Sequence, residues 1–128
     1  MKKLVFIPII LILLASCSTS PPATSADRIE SFHGSYDKIF NATKSALFDL
    51  GYHIESMQKD EGYIEALTSV STLFGTVWKQ HKILLMNEGD TTRIKVNIFL
   101  ISGPAKQEAP QSFYDEFWEA LTGYLPKE

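Results

Sequence analysis

Residues 46–66 read ALFDLGYHIESMQKDEGYIEA, and the hydrophobic period changes inside that stretch. Up to Leu50, the residues Ile39, Phe40, Thr43, Ala46, Leu47 and Leu50 recur at three- and four-residue spacing, which lines one face of a helix. The spacing predicts a helix over Tyr36–Leu50, capped by Ser35, with Lys38, Lys44 and Asp49 mainly on the other side. Gly51 suits its end, because glycine takes the left-handed conformation without penalty. Beyond Gly51 the period falls to two. YHIESMQKD and GYIEALTSV flank Asp60-Glu61-Gly62, which predicts two strands joined by a hairpin turn. Tyr52 and Ile54 share a face of the first strand. In the second, Tyr63, Glu65 and Leu67 oppose Ile64, Ala66 and Thr68, and alternation leaves open which set points inward.

Further on, STLFG at 71–75 reads as an interruption of the sheet, followed by a long pair of strands, Thr76–Met86 and Thr91–Ile101, joined by NEGD at 87–90. In the second of these Ile94, Val96, Ile98 and Leu100 alternate with Lys95, Asn97 and Phe99, the pattern of a sheet wet on one side. Thr76–Met86 carries apolar residues on both faces, so its phase stays open. SGPAKQEAP at 102–110 reads as a loop, and Pro110 suits the first turn of a helix over Gln111–Leu125. Phe113, Phe117, Ala120, Leu121 and Tyr124 make its apolar stripe, Trp118 widens it, and Asp115, Glu116 and Glu119 make the other side acidic. Ile29–His33 reads as an edge strand, although Ile29 and Phe32 do not settle its period. The expected fold class is α+β. A four-stranded antiparallel sheet carries the N- and C-terminal helices on one face, which buries both stripes and leaves the opposite face open or covered by a partner.

The amino-terminal end has a different character. Lys2 and Lys3 precede an apolar run from Leu4 to Leu14, broken only by Pro8, and small residues follow it. That is the layout of an export signal. Its eleven positions, Pro8 included, fall short of the roughly twenty that a spanning helix needs. The block LASC, ending at Cys17, resembles a bacterial lipobox. The resemblance implies a thioether-linked lipid on Cys17, cleavage before it, and acylation of the new amino terminus. The alternative is a bystander cysteine beside an ordinary cleavage site. Cys17 is the only cysteine, so only an intermolecular disulfide is open to it. Several acyl chains anchor stably where one binds marginally. Ser18 in the next position resembles the outer-membrane sorting signal. The expected division is a lipoprotein signal peptide at 1–16, lipidated Cys17 and a flexible tether at 17–28, and one α+β domain facing the periplasm at 29–128. From Cys17 onward ten basic residues stand against fifteen acidic ones, an acidic balance that argues against nucleic acid.

The 46–66 stretch also resembles a pattern of small bacterial envelope lipoproteins, in which a helix ends in Leu-Gly-Tyr or Leu-Gly-Phe before a strand, an acidic-Gly turn and a second strand. The element order over about 30–125 is similar to the helix-grip domains of BamC-like outer-membrane lipoproteins. The resemblance implies a layered scaffold and an envelope location; a scaffold does not carry an activity with it.

Residues able to do chemistry are scattered. His33, His53 and His81 have no metal-ligand spacing; His53 and Glu55 share a strand face, and a surface trio with His81 across the sheet is the one metal arrangement open to them, against the reading of ordinary solvated strand residues. Ser71, His81 and Asp90 carry no nucleophile motif, and Asp60 with Glu61 favours a turn more than acid–base work. No enzyme, metal site or cofactor is expected. Aromatic residues near an irregular segment anchor protein contacts or cap the core, so Phe74 and Trp78 are candidate partner-binding residues with core packing as the alternative; Phe99, opposite the apolar row of its strand, joins Trp78 and Met86 as a candidate on an outer sheet face. The expected function is a non-catalytic, membrane-anchored lipoprotein that binds another envelope protein or a copy of itself. The alternative is a carrier or sensor holding a small apolar ligand between sheet and helices.

Overall fold

In a computed structural model, residues 21–125 are described. The expectations at 1–16 and at Cys17 lie outside the described residues. The elements, in chain order, are α1 (Ser25–Arg28), β1 (Ile29–His33), α2 (Tyr36–Asp49), β2 (His53–Gln58), β3 (Tyr63–Thr72), β4 (Gly75–Asn87), β5 (Thr91–Ser102), β6 (Ala105–Glu108) and α3 (Gln111–Thr122).

α2 forms where the three-and-four spacing placed it. The Ser35 side chain accepts from the Lys38 amide, Gly51 follows with φ +83°, and Ile39, Phe40, Ala42, Thr43, Ala46 and Leu47 are buried. From Tyr52 the chain crosses into a meander β2-β3-β4-β5. The sheet order is β1-β5-β4-β3-β2, all antiparallel, and α2 carries the chain across one face from β1 to β2 at the opposite edge. α3 lies on the same face: the Phe117 ring is 5.6 Å from that of His81 on β4. The core between the layers is Ile64 and Ala66 of β3, Ile83 and Leu85 of β4, and Ile94, Val96 and Ile98 of β5. Phe40, Leu47, Tyr114, Phe117 and Leu121 close it from the helices. These contacts settle the two open phases. Even positions of β3 and odd positions of β4 point inward.

The expected four strands are an undercount, because the sheet has six. β1 and β6 lie end to end along one edge of β5, pairing with residues 91–95 and 99–102 respectively. β6 is AKQE, exposed at all four positions, so it has no apolar alternation to announce it. Between the two short strands the β5 edge is closed by a side chain: the Tyr114 hydroxyl accepts from the Ile98 amide at 2.9 Å, and the Ala109 amide donates to the Ile98 carbonyl at 2.9 Å. A buried amide without such a partner would cost about 1–3 kcal/mol.

Two further expectations change. STLFG does not interrupt the sheet, since β3 and β4 pair without a break from Tyr63↔Leu84 to Thr72↔Gly75, with Leu73 and Phe74 at the apex of one long hairpin. Both apical residues keep negative φ, and Gly75 at φ +122° takes up the reversal of the chain. Residues 21–28, expected as tether, sit on the domain instead. Thr24 and Asp27 form a capping box at α1, the Gln111 amide donates to the Pro21 carbonyl at 3.0 Å, and the Trp118 indole donates to the Asp27 carbonyl at 2.6 Å. Arg28 pairs with Glu108. Composition alone made this segment look unable to order; partners from α3 and β6 supply what its own side chains lack.

Candidate functional site

Pairing in the ladders determines which side chains share the sheet face away from the helices. On β3 they are Tyr63, Glu65, Leu67 and Ser69, on β4 Trp78, Gln80, Lys82, Leu84 and Met86, and on β5 Arg93, Lys95, Asn97, Phe99 and Ile101. No element among the described residues covers this face. Trp78 is 42% exposed and Leu84 39%, in a sheet whose opposite face is almost sealed. An exposed apolar area of this kind marks a contact surface more often than isolated surface apolar residues do.

The candidate residues divide. Trp78 pairs with Ile101 and Gln80 with Phe99, so Trp78 and Phe99 are diagonal neighbours on the open face, with Met86 further along β4. Lys106 of β6 rests its ammonium 4.5 Å from the centre of the Phe99 ring, a cation–π contact that partly shields it. Phe74 is not on this face. It stands at the apex of the β3–β4 hairpin with Leu73, each 99% exposed. Leu73 and Leu84 were missed in sequence because each looks like an ordinary core residue. The one available signal was Gly75 directly after Leu-Phe, since a turn residue there converts an irregular link into a hairpin tip.

Polar order on the face is local. Glu65 accepts from the Gln80 amide group at 2.7 Å and from the Tyr63 hydroxyl at 3.0 Å, and Arg93 pairs with Glu88 at the far end. The Glu65 contact and burial both hold the Tyr63 hydroxyl above its ordinary pKa, burial being the larger cause.

The histidines do not assemble. His81 points into the core, 1% exposed, between Tyr52 at 4.2 Å and Phe117 at 5.6 Å, with neither ring nitrogen hydrogen-bonded. His53 faces the other side, opposite Leu67, so the His53–Glu55–His81 trio does not form. Ser71 lies beside the hairpin apex opposite Thr76, remote from buried His81, which removes the Ser71–His81–Asp90 arrangement. Among the described residues no group of three or more His, Cys, Asp or Glu stands close enough to hold a metal ion.

Open grooves lie outside the core. One of about 590 Å³ is lined by Lys44, Phe48, Asp49, Tyr52, His53 and Tyr124. A second of about 540 Å³ adjoins it through Asp49 and Tyr124, and one of about 300 Å³ lies by the 59–62 turn. Between sheet and helices, Phe40, Leu47, Phe117 and Leu121 are at most 1% exposed and pack against one another's neighbours.

This geometry defines an α+β scaffold with helices on one side of an antiparallel sheet and, among the described residues, an uncovered face of mixed apolar and charged side chains on the other. No family model matches the chain, and no curated protein matches it. Among solved structures, the adenylate sensor from AMP-activated protein kinase in complex with ZMP is similar over 73% of this chain and 94% of its own, at 11% identity and a TM-score of 0.56. A DUF4468 family protein from Bacteroides ovatus is similar over 84% of this chain and 91% of its own, at 8% identity and a TM-score of 0.48. A TBP-like protein from Parabacteroides distasonis is similar over 78% of this chain and 96% of its own, at 12% identity and a TM-score of 0.38. At such identities the likeness is one of fold alone.

Proposed function

We propose that this chain is a non-catalytic lipoprotein of the bacterial envelope, held at the outer membrane through acylated Cys17, whose domain recognises another envelope protein. The lipobox-like LASC block supports the anchor. The observation that carries the binding reading is the uncovered sheet face, where Trp78, Leu84 and Phe99 are presented with no element of the described residues over them. On that face Trp78 and Phe99 lie toward the hairpin end and Leu84, beside Lys95, toward the other, with Lys82 and Asn97 paired between them, so aromatic anchors and polar contacts alternate along the surface a partner would cover. No bond is made or broken in this reading. Placement and recognition are the whole mechanism.

The test is copurification after brief crosslinking of natively acylated, C-terminally tagged protein. A stoichiometric envelope partner is expected, reduced at least tenfold by Leu84→Glu in a variant whose circular dichroism and unfolding midpoint are unchanged. Leu84 is exposed, so the substitution leaves the core intact. Recovery of self-crosslinks alone would replace the hetero-complex by homo-oligomerisation.

A further inference from the structure

The hairpin apex has a composition unlike the rest of the chain. From Ala66 to Asn87, twenty-two residues, there is no aspartate or glutamate, although the chain has fifteen acidic residues. The order outward from the sheet is also graded. Lys79 comes first, then Trp78 with Ser69 level beside it, then the hydroxyls of Ser71, Thr72 and Thr76, and last the fully exposed Leu73 and Phe74; Lys82, further in, stands directly across from Glu65. The β5–β6 turn reaches toward the same end, since Trp78 pairs with Ile101, and it adds Lys106, with Glu108 two residues further from the tip and paired to Arg28. Apolar tip, aromatic collar and cationic base is the sequence of chemistries that a phospholipid surface presents in reverse: acyl chains, interfacial carbonyls and anionic headgroups.

The chain between Cys17 and the domain bears on the same point. Pro21 already accepts a hydrogen bond from α3, and Pro22 bridges Pro110. Only four residue steps separate Cys17 from Pro21, so the leash spans at most about 14 Å. The docking point lies level with Ile98, which pairs with His81, and Phe74 is seven residues further along β4. At the strand rise this is about 23 Å. A tip touching the bilayer then holds the strands within about 40° of its plane. The sheet rests on the corner formed by the apex and the β6 edge. It can stand edge-on there, with the open face free for a partner.

We infer that Leu73 and Phe74 form a second, non-covalent membrane contact: the β3–β4 hairpin tip inserts into an anionic phospholipid surface and orients the domain that Cys17 tethers. The leash argument rests on the acyl anchor proposed above. The composition and exposure of the tip do not.

The test uses the acylated full chain reconstituted in vesicles of phosphatidylethanolamine and phosphatidylglycerol. With the Cys17 sulfur in a thioether, Leu73→Cys introduces the one free thiol, which takes an environment-sensitive nitrobenzoxadiazole label; Glu61→Cys, in the β2–β3 turn at the other end, is the control. The label at position 73 is expected to shift to the blue and to lose at least half its emission to doxyl-labelled lipid, while the label at 61 stays aqueous. Adding Phe74→Ser should reduce the quenching at least twofold. A label at 73 that stays aqueous in a chain of acylated mass overturns the inference. A blue-shifted label that lipid-borne quencher does not reach also overturns it, because the tip is then buried in protein. The mass of the same sample reports the anchor separately. If the acyl mass is missing, cosedimentation with these vesicles decides the tip: binding weakened by Phe74→Ser supports it, and no binding refutes it.

Discussion

His81 places a ring with two polar nitrogens in the core beside Tyr52 and Phe117, and neither nitrogen has a partner. Burial, helped by the Lys79 cation, pushes its pKa down to about 3 from an ordinary 6.5. Since the unfolded chain binds the proton near pH 6.5 and the folded chain does not, stability is full above that value and declines as pH falls toward 3, by about 1.4 kcal/mol per unit. From pH 7 to pH 5 this one residue is expected to remove about 2 kcal/mol. Urea unfolding of the native chain and of His81→Leu at both pH values checks it: the variant should lose about 2 kcal/mol less over that interval. Equal losses would mean that His81 is solvated or partnered when folded. The sequence contained this histidine in plain view, but not its direction, because Thr76–Met86 alternates between two nearly equal apolar faces.

At the scale of the element, the β2–β3 turn shows how a short motif depends on a distant strand. Gly62 has φ +74°, its carbonyl accepts from the Leu85 amide at 2.7 Å, and a Cβ built on it would stand 2.1 Å from the Leu85 carbonyl oxygen. Tyr36 closes the same turn from α2 by donating to the Lys59 carbonyl at 2.6 Å. Gly62→Ala therefore meets both a left-handed backbone, costing roughly 1–2 kcal/mol, and a collision with main chain that cannot swing aside. Its unfolding midpoint should fall accordingly, whereas Gly103→Ala, with φ +57° and nothing within 4 Å of the added carbon, should lose only the backbone share. Similar losses in thermal unfolding would show that the Leu85 approach relaxes freely. The turn was legible from Asp-Glu-Gly between alternating segments. Its contact with β4 was not, since nothing local records which strand arrives next to it. β6 escaped notice for a related reason: its pairing is made by backbone, which leaves no hydrophobic period in AKQE.

For the whole molecule, the consequential feature is where the ordered chain starts. Residues 21–28 join the domain through Asp27, Arg28, Gln111 and Trp118, so the connection to Cys17 is four residue steps rather than eleven. Trypsin applied to the native protein should spare the Arg28–Ile29 bond and cleave it promptly once Trp118→Ala releases α1; mass spectrometry of the fragments over time reads this directly. Rapid cleavage in the native chain would return residues 21–28 to a free tether. The charge distribution also belongs to this scale. Asp115, Glu116 and Glu119 of α3 are on the helix side, and the carboxylate-free hairpin is at one end of the sheet, so an acidic chain keeps one end without negative charge.

By itself the sequence determined what depends on periodicity and on local backbone chemistry. α2 with its Ser35 and Gly51 limits, the alternation of β5, Phe117 and Leu121 in the buried stripe of α3 and the α+β class all follow from neighbours within one or two turns of chain, whereas the expected stripe held Tyr124, which is exposed past the helix end at Thr122, and left out the buried Tyr114. The tertiary structure alone decided which face of β4 is inside, that Phe74 is an apex while Trp78 and Phe99 share a face, that β6 exists, and that residues 21–28 are seated. Each of these is set by groups far apart in the chain: the β3–β4 register, the Tyr114 hydroxyl on β5, the Trp118 indole on Asp27. Such partners act through space, and a single strand or short helix cannot record them because its own residues are equally compatible with either outcome.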